Sequence, residues 1–299
     1  MHRLLLHNGL ILPTASKVVS PGQVGFLNGW GVFSTIKVMD GVLFAFERHW
    51  ARMQKDAVLL RIPMPAGSEA FRRDLLSLVE ANQAWNSTLR VAIARNRGGA
   101  FEGEGIDRDY DVVAFTTDTH DWGRGVRLGL LPQARHSGSP FAGTKVMSWC
   151  FNLTMLESAR EAGFDEVILL DDRDRVSECT SANIFAWIGD SVLTPPLESG
   201  CLPGVTRDVL LHDLPGTGYP VLERHLTVDD LYAARSVFIT STTRELLPVL
   251  SVLERTLKQE DACRATLQSA FSQYADEYVS RARKDGLSAL HHRVHQPQN

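Results

Sequence analysis

A mixed α/β (α+β) protein in two parts is the fold class the sequence predicts, and three observations predict it. Runs of β-branched residues of strand length alternate with stretches of helical spacing along the chain. The 299 residues amount to two domains of ordinary size, roughly 150 residues each. A polar, turn-rich stretch at 117–125 (TDTHDWGRG) interrupts the pattern. We expect a small N-terminal α/β domain over 1–118, a linker over 119–125 and a larger C-terminal domain over 126–299.

In chain order, 10–12 is a short apolar run before Pro13. The segment 32–38 (VFSTIKV) reads as a strand, with a hairpin turn at 39–41. Trp50, Met53 and Ala57 fit one helical face over 46–60, which Pro63 and Pro65 end. A second helix is expected over 71–83, and strands over 90–94 and 112–116. The second half opens with a strand at 126–131, followed by a helix over 152–162 that Gly163 ends. A strand at 166–170 precedes a charged turn, and Val176, 184–187 and 192–193 read as strands of a meander. Gly204 introduces a helix, 236–240 is a buried strand, and a long helix is expected over 257–279.

Composition narrows the function. Hydrophobic residues make up 44% and charged residues 22%, the mean hydropathy is −0.10 and the net charge is −4, with none of the basic excess of a nucleic-acid binder. No stretch approaches the roughly 18 apolar residues of a membrane span, and the start lacks a signal-peptide core, so a cytoplasmic protein is expected. The four cysteines lack metal-ligand spacing and read as free buried thiols. His291, His292 and His295 in the tail read as a solvated terminus, and no metal site is expected. Only six of the 31 cationic residues are lysines, so lysine chemistry has few candidates.

Four segments can carry chemistry, and each also has an ordinary reading. In 143–149 (GTKVMSW) Lys145 stands among apolar residues, as a snorkelling side chain or as an amine that burial turns into a nucleophile. In 176–185 Glu178 lies between apolar strand segments, either paired with an arginine or facing a ligand. In 202–207 (LPGVTR) a glycine opens a helix whose free N–H groups and Thr206 hydroxyl suit a phosphate, although Thr206 also suits an ordinary cap. In 240–244 (TSTTR) hydroxyls cluster after a buried strand, to hold phosphate oxygens or to complete a turn. An amine, a carboxylate and two phosphate cradles together are what pyridoxal 5′-phosphate requires.

Those residues carry a resemblance. With 31–37 (GVFSTIK), 47–53 (ERHWARM), Lys145, 162–166 (AGFDE), 176–178 (VSE), 181–185 (SANIF), 194–197 (TPPL), 202–207 and 240–243 in one order, the chain resembles the fold type IV pyridoxal-phosphate enzymes, or class IV aminotransferases. That group holds branched-chain and D-amino-acid aminotransferases, R-selective amine transaminases and 4-amino-4-deoxychorismate lyases. The resemblance implies a D-amino-acid aminotransferase-like fold of two domains with the site between them, the larger one binding pyridoxal phosphate, and a homodimer. It implies that Lys145 is the Schiff-base lysine and proton shuttle and that Glu178 faces the pyridine nitrogen. Arg52, Val205, Thr206, Ser241 and Thr242 would hold the phosphate, and Leu202 would cover one ring face.

Transamination of an amino acid with a 2-oxo acid, by a ping-pong mechanism, is the activity so implied, with aminodeoxychorismate lysis as the alternative. A protein that holds the cofactor without turnover is a third reading. Branched-chain members usually place a tyrosine about five residues after the lysine, where this chain has Trp149-Cys150, and 240–243 looks closest to the D-amino-acid members. Thr35, Lys37 and Arg95 are candidates for substrate contacts, Arg95 because a guanidinium grips a carboxylate bidentately, or else as one half of a structural ion pair.

Overall fold

A computed structural model describes residues 1–99, 106–214 and 216–290; the tail histidines lie outside the described residues. The chain groups into two compact units. One comprises Met1–His120, Lys145–Trp149 and the described residues from Ala275 on, and the other Asp121–Thr144 and Cys150–Tyr274. The division therefore does not follow a single cut in the sequence. Its first crossing falls at His120, but the lysine segment and the end of the chain group with the N-terminal residues.

The first unit runs β1 (Leu4–His7), β2 (Leu10–Pro13), α1 (Val24–Asn28), β3 (Gly31–Met39), β4 (Val42–Leu43), α2 (Phe46–Leu59), α3 (Ser68–Asn82), β5 (Ser87–Arg95) and β6 (Tyr110–Thr117). Its six strands form an antiparallel sheet in the order β2-β1-β6-β5-β3-β4. Alternation sorts the two faces. Val32, Ile36, Val38, Leu89, Val91 and Ile93 pack with Trp50 and Met53 of α2 and Phe71 and Leu75 of α3. The opposite face carries Phe33, Thr35, Lys37 and Arg90. A one-residue slip of β3 would put Thr35 and Lys37 under the helices and expose three core side chains, each contributing about 1.5–3 kcal/mol, so register is firmly specified. The lysine segment extends this sheet: Val146 bridges Val32, and the Met147 N–H donates to the Gly31 carbonyl at 2.8 Å. A Cβ on Gly31 would overlap the Ile93 carbonyl oxygen of the neighbouring strand as well as the Met147 sulfur, so this close approach requires glycine.

The second unit runs β7 (Val126–Arg135), α4 (Cys150–Glu161), β8 (Glu166–Asp171), β9 (Val176–Cys179), β10 (Asn183–Ile188), β11 (Ser191–Thr194), α5 (Val205–His212), β12 (Val221–Glu223), α6 (Val228–Ala233), β13 (Ser236–Ser241), β14 (Glu245–Val252), β15 (Arg255–Thr256) and α7 (Ala262–Lys284), whose last turns group with the first unit. The sheet order is β12-β11-β10-β13-β14-β7-β8-β9, with β15 on β14. Only Thr180, Ser181 and Ala182 link β9 to β10, a reach of about 14 Å. Five strand spacings of the hydrogen-bonded path separate the same two strands, about 24 Å if the sheet were flat. The sheet therefore curls back on itself around Ile168, Ile184, Ile239 and Val249.

Two expected features differ. Val176 belongs to β9, which pairs with β8 at the far end of the sheet instead of joining the β10–β11 meander. The last helix starts at Ala262 and not at Leu257, because Leu257 packs into the second unit's core and its N–H pairs with the Leu250 carbonyl. Among the described residues no helix is long and apolar enough to cross a membrane, and no cluster of three or more His, Cys, Asp or Glu side chains could hold a metal. All four cysteines are free: Cys179, Cys201 and Cys263 are buried, whereas Cys150 is exposed.

Candidate active site

In the first unit Lys145 is pinned through its main chain. Its N–H donates to Asp56 Oδ2 on α2 at 3.0 Å, and its carbonyl accepts from the Phe33 N–H at 3.1 Å. The half-buried side chain places Nζ 4.7 Å from the centre of the Phe33 ring. Arg90, directly opposite Thr35 in the sheet, lies over the same ring at 4.0 Å and 5.9 Å from the Trp149 ring. Among the described residues these ring contacts are all that its guanidinium makes, and burial lowers its pKa. A strand-borne arginine reads as solvent-facing in sequence. Its signal would have been that Phe33 and Thr35 share its face.

Beside Lys145, α2 presents His49, Arg52 and Asp56, one turn apart each. Arg52 Nη2 donates to Ser34 Oγ at 3.1 Å, and Ser34 Oγ lies 2.8 Å from His49 Nδ1. A guanidinium can only donate, so the Ser34 hydroxyl accepts from Arg52, and it shares a second hydrogen bond with His49 Nδ1 whose direction follows the imidazole tautomer. Burial, and then the charges of Arg52 and Lys145, hold the His49 pKa well below its usual value. Burial also brings Arg52 down to about 10, against the opposing pull of Asp56, whose own carboxyl burial raises.

The remaining substrate candidates divide. Thr35 and Lys37 stand half-buried on the face that carries Phe33 and Arg90. Arg95 is committed to the main chain: Nε donates to the Arg97 carbonyl at 2.6 Å and Nη1 to the Arg61 carbonyl at 2.8 Å, with Trp30 stacked 4.2 Å away. Both acceptors are neutral carbonyls, and among the described residues Arg95 has no carboxylate partner.

The second unit holds the acid and the cradle. Glu178 Oε1 accepts from Arg135 Nε at 3.1 Å, and Oε2 accepts from the Leu202 N–H at 3.0 Å. Leu202-Pro203-Gly204 then leads into α5, whose first turn, with buried Val205 and Thr206, has no side-chain cap. The helix packs on β13, whose C-terminal end carries Thr240 and Ser241, with Thr242 next in the chain. Thr240 Oγ1 is buried and has no hydrogen-bond partner among the described residues. Behind that turn, Arg244 donates to Ser181 Oγ at 2.9 Å and to Glu166 Oε2 at 3.2 Å, and its ring partner is Trp122 at 3.9 Å. Arg135 and Glu166 escaped the sequence reading because their partners lie tens of residues away.

Comparison with known proteins decides the family. The family profile for class IV aminotransferases matches residues 31–252. The chain belongs to the class IV aminotransferase family. It is 29% identical over 260 residues to a putative branched-chain-amino-acid aminotransferase of Methanocaldococcus jannaschii, covering 85% of this chain and 89% of that one. It is 28% identical over 257 residues to a D-alanine aminotransferase of Bacillus licheniformis, with the same two coverages. The fold is that of the branched-chain amino acid aminotransferase of Escherichia coli, with a TM-score of 0.84, 22% identity, and coverage of 93% of this chain and 96% of that one.

Class IV aminotransferases depend on pyridoxal 5′-phosphate, and the residues present fit that group. The uncapped start of α5 offers main-chain donors to an anion, and the orphaned Thr240 hydroxyl stands buried on the neighbouring strand. At Gly204 a Cβ would overlap Asn183 Oδ1, so the chain entering the helix packs tightly against that amide. Glu178, held by one cation and one amide, keeps acceptor capacity for a pyridinium N–H.

Proposed function

We propose that this class IV aminotransferase moves an amino group between an amino acid and a 2-oxo acid by a ping-pong reaction, with Lys145 as its catalytic base. When bound, pyridoxal 5′-phosphate supplies an aldehyde for the amino group and a ring that accepts the electrons released at the substrate α-carbon. Lys145 Nζ removes and returns the α-proton. Glu178 accepts from the ring N–H, and Arg135 and the Leu202 amide keep that carboxylate oriented. Arg52, the Val205 and Thr206 amides, and the Ser241 and Thr242 hydroxyls hold the phosphate, while Leu202 covers one ring face. Arg90 takes the substrate carboxylate, aided by Thr35 and Lys37, and Arg95 shapes its own loop. The observation that carries this reading is the pinned Lys145, whose ammonium shares the Phe33 ring with a guanidinium that has no carboxylate partner among the described residues.

A homodimer belongs to the same proposal. The twelve residues of α4 bury only Ala159, and its first turn exposes Phe151 and Leu153. The free thiols suit the reducing cytoplasm, which is the compartment we propose.

The test is titration of the purified protein with single L- and D-amino acids, following cofactor absorbance and 2-oxo acid release. The wild type responds to at least one handedness, borohydride fixes the cofactor at Lys145, and Lys145→Ala loses turnover by about 10²–10⁴-fold or more. Full activity in Lys145→Ala would sink the assignment. Release of 4-aminobenzoate from aminodeoxychorismate, with no response to any amino acid, would replace the transaminase by a lyase.

A further inference from the structure

We infer that Asn183 is a positioning residue that sets the spacing between the Glu178 carboxylate and the phosphate cradle at the start of α5. The inference rests on the cofactor reading above and goes beyond it, because Asn183 itself touches main chain and not the reacting atoms. Asn183 is the first residue of β10, only 5% exposed, and lies directly opposite Thr240 on β13. Its Nδ2 donates to the Leu202 carbonyl at 2.9 Å. A carbonyl only accepts, so the amide orientation is settled, and Oδ1 faces Gly204. Leu202 is thus held on both sides, its N–H by Glu178 and its C=O by Asn183.

The strap between the two functions is short. It runs from Leu202, bonded to the acid, through Pro203 to Gly204, and the next two residues are Val205 and Thr206 of the cradle. Proline fixes its own φ and keeps Leu202 extended, so little slack remains. Gly204 is required because a Cβ would overlap Asn183 Oδ1. The Gly204 N–H closes the strap on the Leu202 carbonyl at 2.8 Å, and the Asn183 side chain braces that closed strap at both ends, through a donor to Leu202 and an acceptor edge against Gly204. The orphaned Thr240 hydroxyl adds an independent sign of an anion at this place. Residues directly opposite in an antiparallel pair project to the same face, so Thr240 and Asn183 point the same way.

An ordinary buried asparagine would stabilise the fold without discriminating between ligands. The full-length apo-protein is therefore titrated with pyridoxal 5′-phosphate and with pyridoxal, which has the same ring without the phosphate, and apo melting temperatures are recorded in parallel. In Asn183→Ala the preference for the phosphorylated form drops at least 10-fold relative to wild type, and Gly204→Ala, whose methyl group displaces the same amide, gives a comparable drop. In the double variant the two losses do not add, because the methyl group introduced by Gly204→Ala enters the space that the amide left. An unchanged preference in both single variants, whether or not apo melting falls, would reduce Asn183 to a core polar residue and overturn the inference. Failure of the wild type to bind pyridoxal 5′-phosphate would overturn the cofactor reading and this inference together.

Discussion

Ser34, His49 and Arg52 show how one buried histidine is kept neutral. The imidazole is fully buried, its Nδ1 is hydrogen-bonded with the Ser34 hydroxyl, and two cations, Arg52 and Lys145, oppose its protonation. In the unfolded chain the same histidine titrates near pH 6.5. Between that value and its lowered native pKa the unfolded state binds the extra proton, so stability falls as the pH drops below about 6.5. His49→Gln removes this one-proton linkage, which is worth up to about 1.4 kcal/mol per pH unit. Urea unfolding at pH 7.5, 6 and 5 checks it: the variant loses less stability on acidification than the wild type, and equal slopes would refute the assignment. At this scale the sequence is partly readable. Lys145 stands out because lysines are scarce and its neighbours apolar. Arg90 does not, because its significance is a bare guanidinium over Phe33, which only strand pairing creates.

The turn between β13 and β14 is an element whose shape depends on charge buried beneath it. Glu166 on β8 is fully buried and accepts from Ser181, Thr180 and Arg244, and Arg244 follows the Ser241–Thr243 hydroxyls directly. Burial lowers the Arg244 pKa while Glu166 opposes that shift, as expected of a desolvated pair. Breaking such a pair costs more than replacing it, because the surviving charge is left uncompensated. Arg244→Met should therefore destabilise the protein by about 3–5 kcal/mol, and adding Glu166→Gln should recover much of the loss. Denaturant midpoints read both values, and a loss below 1 kcal/mol in Arg244→Met would mean that the pair does not hold the turn. Periodicity shows 166–170 and 236–240 as strands but cannot show that residues 166 and 244 meet. β9 is a different case: it folds back on β8 across the short turn at 172–175, and β10 stands five strand spacings away along the hydrogen-bonded path, which the strand pattern alone does not show.

Across the whole molecule the chain leaves the second unit at Thr144, contributes Lys145–Trp149 to the first, and returns at Cys150 as α4. Lys145 is thus joined in sequence to a helix whose own unit leaves it mostly uncovered. Phe151 is 57% exposed and Leu153 52%, on a helix that buries a single alanine. A second copy of the chain is the occupant the family resemblance implies, and covering two such side chains would contribute a few kcal/mol, about 1.5–3 each at full burial. The wild type should therefore sediment at twice 33.2 kDa at micromolar concentration. The double variant Phe151→Asp with Leu153→Asp should sediment as a monomer, since a dimer would have to bury two carboxylates from each copy without partners. Because α4 continues the lysine segment, the monomer should also lose turnover, and it should melt lower than the dimer because it gives up the contacts that stabilise the wild type. A monomeric wild type would dispose of the dimer, and an active monomeric variant would show that Lys145 is held correctly by one chain alone.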